Sequence, residues 1–406
     1  MKKFFDFVKK EAVLSVAVFL AIISMFIVKP DKQYLEYIDF RTLAILFCLM
    51  CVMAGFQALG VFKKIATGLI DRTRTLRSVM IILVLLCFFF AMVITNDVAL
   101  ITFVPFTFTT FNLMEGGKAK NLIAPTIVLE TIAANLGSML TPIGNPQNLY
   151  LYSIANMGFV DFVLLMLPYT IVSLGLILAF VVFFYRKEVP NTISKEDETV
   201  LKETTGSKPV VSQGVFSVTL TELFEKSNNK YHSMLIMYIM LFLVALMTVA
   251  RALPYPVMFF ITLVLVALSD RKVLMKVDYS LLFTFVGFFI FIGNMGRIPS
   301  VSEFLRNIVT GNETLVGILS SQVISNVPAA LLLSGFTENY ADLIVGVHLG
   351  GLGTLIASMA SLISFKMVAK DADTKTGHYF KLFTVLNVVF LVVLFVLNIL
   401  MGVIYR

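Results

Sequence analysis

Two short polar patches interrupt apolar segments of this chain, and they are similar to each other. The first runs from Asn135 to Asn148 (NLGSMLTPIGNPQN) and the second from His348 to Ser361 (HLGGLGTLIASMAS). A gapless alignment makes four positions identical, namely Leu136/Leu349, Gly137/Gly350, Thr141/Thr354 and Ile143/Ile356. A second matched pair lies upstream, ITND at 94–97 and ISNV at 324–327. Irregular backbone at membrane depth is tolerated only where protein covers it or where it lines a cavity. The paired patches therefore predict a binding site built from two related halves.

The composition is that of a membrane protein. Hydrophobic residues make up 58% of the 406 residues and charged residues only 14%, whereas a soluble domain has about 25% charged residues. Crossing a hydrocarbon core takes roughly 20 apolar residues. The stretches that approach or exceed this length are Val13–Val28, Thr42–Leu59, Phe162–Tyr185, Met234–Ala250, Leu281–Ile298 and Leu382–Ile404. We expect an all-α polytopic membrane protein.

The formal charge of +7 does not indicate a nucleic-acid partner, because the cations are concentrated at the ends of apolar segments. Such clusters mark cytoplasmic loops. The rule predicts a multi-pass protein of a bacterial-type plasma (inner) membrane, with a cytoplasmic amino terminus and the carboxyl terminus outside. The chain has no metalloprotease, aspartyl-dyad or nucleotide-binding motif, so we expect neither an enzyme nor a cofactor other than a coupling ion.

The charge pattern also predicts the domain organisation. Residues 1–185 form the first repeat, with a re-entrant helical hairpin at about 78–112 and a broken transmembrane helix at about 121–156. Residues 186–230 form a polar cytoplasmic linker. Residues 231–406 form the second repeat, with a hairpin at about 312–336 and a broken helix at about 340–368. The repeats cross the membrane in opposite senses, which is an inverted-topology repeat.

Each patch has the features of a helix start. Asn145 precedes a proline, which is favoured at the first helical position, and Asn326 lies two residues before Pro328. Helix starts that meet at mid-depth direct free N–H groups at one point and can hold an anion. The predicted substrate-binding residues are Asn96, Thr141, Gly144, Asn145, Asn148, Ser325, Asn326, Thr354 and Ser358.

A carboxylate inside the membrane is a functional hypothesis by default. Asp97 would repel an anion, so it suggests a bound Na⁺ or a transferable proton. We therefore predict a possible Na⁺ position at Asn96, Asp97 and Asn145. His348 is interpreted either as a proton relay or as a hydrogen-bonded bundle histidine, and for Glu130 structural pairing and coupling both stay open. The predicted ion-coupling residues are Asp97, Asn96, Gly137, Asn326, Gly350 and His348.

These motifs resemble the ion transporter superfamily, which includes divalent-anion/sodium symporters, citrate carriers, arsenite permeases and NhaD-type antiporters. The resemblance lies in ANLGSMLTPIGNPQN at 134–148, TND at 95–97, SNVP at 325–328 and GGLGTLIASMASLI at 350–363. It implies a scaffold domain, a mobile transport domain, elevator-type alternating access and a homodimer. In the symporters both hairpin tips read Ser-Asn-Thr; here the tips differ, and the Asn-Asp tip looks more like the arsenite-permease and antiporter branches.

The resulting hypothesis is a secondary-active transporter of a small anion, a carboxylate or an oxyanion, coupled to Na⁺ or H⁺. The alternative within the superfamily is a Na⁺/H⁺ antiporter or an arsenite efflux permease. From another class, a channel is not separated from a carrier by the sequence, and counterflow would distinguish the two.

Overall fold

The computed structural model describes residues 11–70, 75–113, 117–184, 228–371 and 374–404. Within these residues the secondary structure is helical, apart from turns and one isolated bridge at Thr75. The predicted linker at 186–230 falls almost entirely outside them. The α-helices are α1 (Ala12–Ile27), α2 (Gln33–Glu36), α3 (Phe40–Ala58), α4 (Val61–Ile70), α5 (Leu76–Ile94), α6 (Asn96–Leu113), α7 (Gly117–Ser138), α8 (Pro146–Ile154), α9 (Phe159–Phe184), α10 (Asn228–Val249), α11 (Tyr255–Ser269), α12 (Arg271–Leu274), α13 (Tyr279–Gly296), α14 (Pro299–Val309), α15 (Glu313–Ile324), α16 (Asn326–Ser334), α17 (Tyr340–Leu349), α18 (Met359–Val368) and α19 (Thr376–Ile404).

Six of the described helices are long and apolar enough to cross a membrane: α3, α5, α9, α10, α13 and α19. Large apolar side chains on the outer helices, such as Phe26, Phe183 and Phe260, are exposed. In water such a surface would be a liability, whereas in a bilayer it faces lipid. The prediction of an all-α polytopic membrane protein is confirmed.

Two pairs of helices form hairpins at the predicted positions. Helices α5 and α6 join at Thr95, and helices α15 and α16 join at Ser325. Thr95 has φ 73° and ψ 150°, and Ser325 has φ 75° and ψ 153°. This region of backbone space is essentially reserved for glycine, yet both tips use a hydroxyl residue in nearly the same conformation. The match supports our interpretation of the chain as an internal repeat.

Both broken helices are interrupted where the polar patches lie. The first consists of α7 and α8 with residues 139–145 between them, and the second of α17 and α18 with residues 350–358 between them. A short 3₁₀ turn at Leu355–Ala357 lies in the second break only. The repeat also extends to helix starts outside the patches. Asp39 and Asp278 cap α3 and α13 with matching dihedral angles and with the same hydrogen bond, to an N–H three residues on.

Helix α7 is the centre of the molecule. Every residue from 123 to 139 is buried, because α7 packs against α5, α6, α9, α18 and α19. Helices α1, α3, α10, α11 and α13 pack mainly among themselves. The helices therefore form two packing groups, one that carries the hairpins and breaks and one that flanks it.

Candidate functional site

Both hairpin tips and both helix breaks meet at one pocket. The free space between the residues that line it, open solvent included, is at most about 270 Å³. The pocket is thus suited to a small solute. The residues that line it are Asn96, Asp97, Asn145, Pro146, Gln147, Leu281, Asn326, Val327, Ser358 and Met359.

Four helices begin at this pocket, namely α6, α8, α16 and α18. Three of the cap residues, Asn145, Ser325 and Ser358, make no side-chain hydrogen bond to the start of their own helix. Their side chains bond elsewhere; Asn145 Nδ2, for example, donates to Ser138 Oγ at 2.6 Å. Uncapped helix starts leave N–H groups unsatisfied and carry partial positive charge. The pocket consequently has an anion-attracting rim without a lysine or arginine among its lining residues.

Asp97 is the one ionisable side chain among the residues that line the pocket. Its backbone N–H donates to Asn96 Oδ1 at 2.9 Å, and its own Oδ1 is buried without a hydrogen-bond partner in the described part of the chain. An unpaired buried carboxylate oxygen is costly unless a cation or a proton neutralises it. The proposed Na⁺ ligands Asn96, Asp97 and Asn145 all line the pocket.

Asn135 connects the pocket wall to both halves of the chain. Its Oδ1 accepts from Asn96 Nδ2 and from Ser358 Oγ, each at 3.0 Å, and its Nδ2 donates to Ser361 Oγ at 3.3 Å. Two of these partners line the pocket. Asn135 was not among the predicted site residues, although its position in the alignment, opposite His348, was a signal that could have identified it.

Other predicted residues support the breaks instead of lining the pocket. Asn148 Nδ2 donates to the carbonyls of Ser138 and Thr141 at 3.0 and 2.9 Å, and the Thr141 hydroxyl donates to the Met92 carbonyl. Side chains thereby satisfy carbonyls that the helix break leaves without intrahelical partners.

The second break is held by a residue from the hairpin. Gln322 Nε2 donates to the Gly350 and Leu352 carbonyls at 2.9 and 2.8 Å, and the Thr354 hydroxyl donates to the Gln322 carbonyl at 3.0 Å. Gly353, with φ +107°, allows the tight turn that this contact requires. Thr354 is therefore a structural partner of the hairpin. Gln322 was missed, since it lies in an ordinary helical stretch.

His348 lies in the last turn of α17 and is buried. Its Nδ1 is 2.5 Å from the Ile344 carbonyl, and its Nε2 contacts Asn148 Oδ1. Since Asn148 belongs to the first half and His348 to the second, this contact joins the halves. His348 does not line the pocket.

The predicted glycines allow close packing of backbone. A Cβ at Gly137 would lie 2.0 Å from the Phe88 carbonyl oxygen, and one at Gly144 would lie 2.0 Å from the Ser138 carbonyl oxygen. A Cβ at Gly350 would meet the Ser321 side chain at 2.6 Å. Hence these positions keep the breaks tightly packed against their neighbours. None of them lines the pocket.

Five residues that line the pocket were not predicted: Pro146, Gln147, Leu281, Val327 and Met359. Four of these directly follow a predicted residue or lie within two positions of one, so the motifs located the region but not each side chain. Leu281 comes from α13, in the other packing group. Gln147 is the polar one of the five; it is buried, and its Oε1 has no hydrogen-bond partner among the residues that the structure describes.

The helical fold, its six apolar helices of membrane-spanning length and a pocket where four helices begin indicate a multi-pass membrane transporter. Comparison with known families agrees. Residues 7–359 match the model of the citrate transporter (CitMHS) family, so the chain belongs to that family.

Relatives among known proteins are also membrane proteins or transporters. An uncharacterized transporter of Methanocaldococcus jannaschii is 29% identical over 94% of both chains. The inner membrane protein YbiR of Escherichia coli is 29% identical over 85% of this chain and 84% of its own length. A silicon efflux transporter of Oryza sativa subsp. japonica is 28% identical over 42% of this chain and 34% of its own length. The expected superfamily membership and the expected non-enzymatic role are thereby confirmed.

Proposed function

We propose that the protein is a secondary-active transporter of a small anion, a carboxylate or an oxyanion, coupled to Na⁺ or H⁺. The observation that carries this proposal is the convergence of four helix starts on one pocket. Helix starts provide oriented N–H donors and partial positive charge, which is a ready-made anion site. A few polar side chains, Asn145, Asn326 and Ser358, provide the remaining contacts.

The size of the pocket favours an anion of few atoms. The family description names citrate, and one relative is named as a silicon efflux transporter. Both a carboxylate and an oxyanion match the donors present here. The pocket lining has no lysine or arginine to pair with each charge, so we expect a substrate of low charge, or one that enters together with a cation.

Asp97 would supply the coupling step. Its carboxylate lies at the start of α6, and its unpartnered Oδ1 calls for a positive charge. Na⁺ or H⁺ bound there would remove the repulsion between Asp97 and the substrate. Binding of cation and anion would then be mutually favourable, which is the thermodynamic basis of symport.

The two packing groups support an elevator-type movement. The group that carries both hairpins and both breaks would move against the flanking group of α1, α3, α10, α11 and α13. The same proposal includes inverted repeats, with the amino terminus in the cytoplasm and the carboxyl terminus outside. It also includes an inner-membrane location and a homodimer.

The test is uptake and counterflow in proteoliposomes with citrate, succinate, sulfate and arsenite, under an imposed Na⁺ or H⁺ gradient. We expect one gradient to drive accumulation of at least one anion. Asp97→Asn should retain counterflow but lose accumulation, whereas Asp161→Asn, the same change at an exposed carboxylate of α9, should behave as wild type. No counterflow of any anion would refute the proposal.

A second candidate function is cation antiport, or arsenite efflux, and Asp97 also favours it, because a lone carboxylate suffices to exchange Na⁺ for H⁺. In that case Na⁺-dependent proton movement would proceed in vesicles without any anion substrate, and Asp97→Asn would abolish it. Anion-independent exchange would therefore replace the symport proposal.

A further inference from the structure

Glu130 is a carboxylate buried away from the pocket. It lies in the middle of α7, and it is completely inaccessible to solvent. Its Oε1 accepts the Thr107 hydroxyl of α6 at 2.5 Å, whereas its Oε2 has no hydrogen-bond partner among the described residues. A charged carboxylate in this state would be strongly destabilising in a membrane interior.

The surroundings of Glu130 supply no compensating cation. Within the described ranges, no lysine, arginine or histidine forms an ion pair with it. The ionisable groups that interact with it are the Cys87 thiol of α5 and the Tyr379 phenol of α19. By hydrogen-bond geometry the buried Tyr379 hydroxyl has no partner in this part of the chain, but it lies close to the Thr131 and Ser364 side chains.

The other ionisable groups on the described helices packed against α7 form no ion pair with Glu130. They are Arg77 of α5, Asp97 of α6, Asp161 and Tyr169 of α9, Lys366 of α18, and His378 and Lys381 of α19. Neutralisation of Glu130 therefore requires a small cation from outside the described residues.

A polar seam, defined here as Asn135, Ser361, Thr131 and Ser364, connects the pocket with the neighbourhood of Glu130. Asn135 bonds Ser361 at 3.3 Å and, one turn along both helices, Thr131 bonds Ser364 at 2.8 Å. The seam lies between α7 and α18. It begins at Asn135, which contacts two residues of the pocket wall. Its far end, Thr131 with Ser364, lies beside the Tyr379 hydroxyl, which in turn interacts with Glu130.

We propose that Glu130 is a second proton site, distinct from Asp97, and that the polar seam connects it to the pocket. Glu130 holds the proton on Oε2 in the conformation described here. When water reaches the carboxylate during the transport cycle, the proton leaves Oε2 for that water. The oxygen atoms around this site favour H⁺ over Na⁺, because one carboxylate and a few hydroxyls are too few ligands to coordinate Na⁺. The coupling role rests on the proposed transport function, whereas the proton site does not.

Infrared difference spectroscopy of the purified full-length protein across a pH titration tests the site without any transport assay. A protonated carboxylic acid has a C=O stretching band that disappears on deprotonation. We expect Glu130→Gln to lose one such band, and Asp97→Asn and Glu303→Gln to retain it. Glu303 is an exposed glutamate of α14, which makes it the matched control.

Thr107→Val provides a second variant should Glu130→Gln fail to fold. Removal of the hydroxyl that bonds Oε1 should shift the frequency of the same band without abolishing it. Retention of every band in Glu130→Gln, or an unshifted band in Thr107→Val, would overturn the proposal. Loss of the band on addition of Na⁺ at constant pH would also overturn it, since Na⁺ would then occupy the site. The bands are independent of transport, so absence of anion transport would count against the proposed function alone.

Discussion

The two halves of the chain meet at two equivalent crossings, and these differ in polarity. At the first crossing, α7 of the first half meets α18 of the second through Asn135 and Ser361. At the second, α17 of the second half meets α8 of the first through His348 and Asn148. The sequence alignment pairs Asn135 with His348 and Asn148 with Ser361, so the two contacts are reciprocal. Reciprocal contacts are what a two-fold relation between similar units produces.

The crossings differ one turn further along the helices. The first crossing continues with Thr131 and Ser364, and Glu130 is the neighbour of Thr131 in the chain. At the equivalent positions the second crossing has Ile344 and Leu151, both buried and apolar, and Leu343 takes the place of Glu130. The first crossing therefore stays polar one turn further along, while the second becomes mainly apolar packing. Similar contacts between the halves are thus combined with different side-chain chemistry.

The largest expected effect comes from Asn135→Ala. It leaves the Asn96 amide, the Ser358 hydroxyl and Ser361 without their shared partner, and an unsatisfied buried group costs about 1–3 kcal/mol. We expect the free energy of unfolding, measured with sodium dodecyl sulfate in mixed micelles, to fall by at least about 3 kcal/mol. Counterflow should be lost as well. His348→Ala, at the other crossing, removes one contact between the halves and none at the pocket, so counterflow should persist. Equal loss in both variants would remove the distinction between the crossings.

A smaller effect is expected from Gly137→Ala. The new methyl group would lie 2.0 Å from the Phe88 carbonyl oxygen, and backbone yields less readily than a side chain. Overpacking of this kind lowers the free energy of unfolding by about 1–3 kcal/mol, and we expect the upper end of that range for Gly137→Ala. Gly350→Ala is the matched change at the second crossing, where the nearest atom belongs to the Ser321 side chain. Its melting temperature in detergent should fall less, and the reverse order would contradict the packing described here.

The smallest expected effect concerns the polar seam itself. Hydrogen bonds between membrane helices contribute about 0.6 kcal/mol on average. A double-mutant cycle of Thr131→Val and Ser364→Ala, measured by the same micelle unfolding, should give a coupling of about that size. The cycle of Ile344→Val and Leu151→Val at the equivalent positions should give only a packing term. A coupling near zero at Thr131 and Ser364 would indicate that no hydrogen bond joins them.

Helix ends fall at the predicted polar motifs, because glycine, proline and asparagine in an apolar segment have few alternative explanations. The re-entrant and inverted arrangement of these segments stays a prediction. The sequence predicted the pocket only in part. The predicted residues that line it are Asn96, Asp97, Asn145, Asn326 and Ser358. Of the other predicted substrate-binding residues, Thr141, Asn148 and Thr354 donate hydrogen bonds to backbone carbonyls. Ser325 lies at a hairpin tip, and Gly144 allows close packing.

The alignment could single out Asn135 but not its hydrogen-bond partners, and the sequence has no signal for Gln322, for one physical reason. Each acts on a partner distant in the chain: Asn135 on residues more than 200 positions away, and Gln322 on carbonyls that become free only once the second break has formed. Periodicity and capping rules describe neighbours along a helix. They do not state which buried side chain will satisfy a carbonyl on another helix.

The backbone conformation shared by Thr95 and Ser325 has a practical consequence for engineering. Backbone strain at a non-glycine residue in this region destabilises the fold by about 1–3 kcal/mol. Interactions elsewhere in the protein must offset this strain at both tips. Glycine at either tip would relieve that strain and yield a more heat-resistant preparation for crystallography. The same exchange would loosen the start of α6 or α16, so we expect the more stable variant to transport its substrate more slowly.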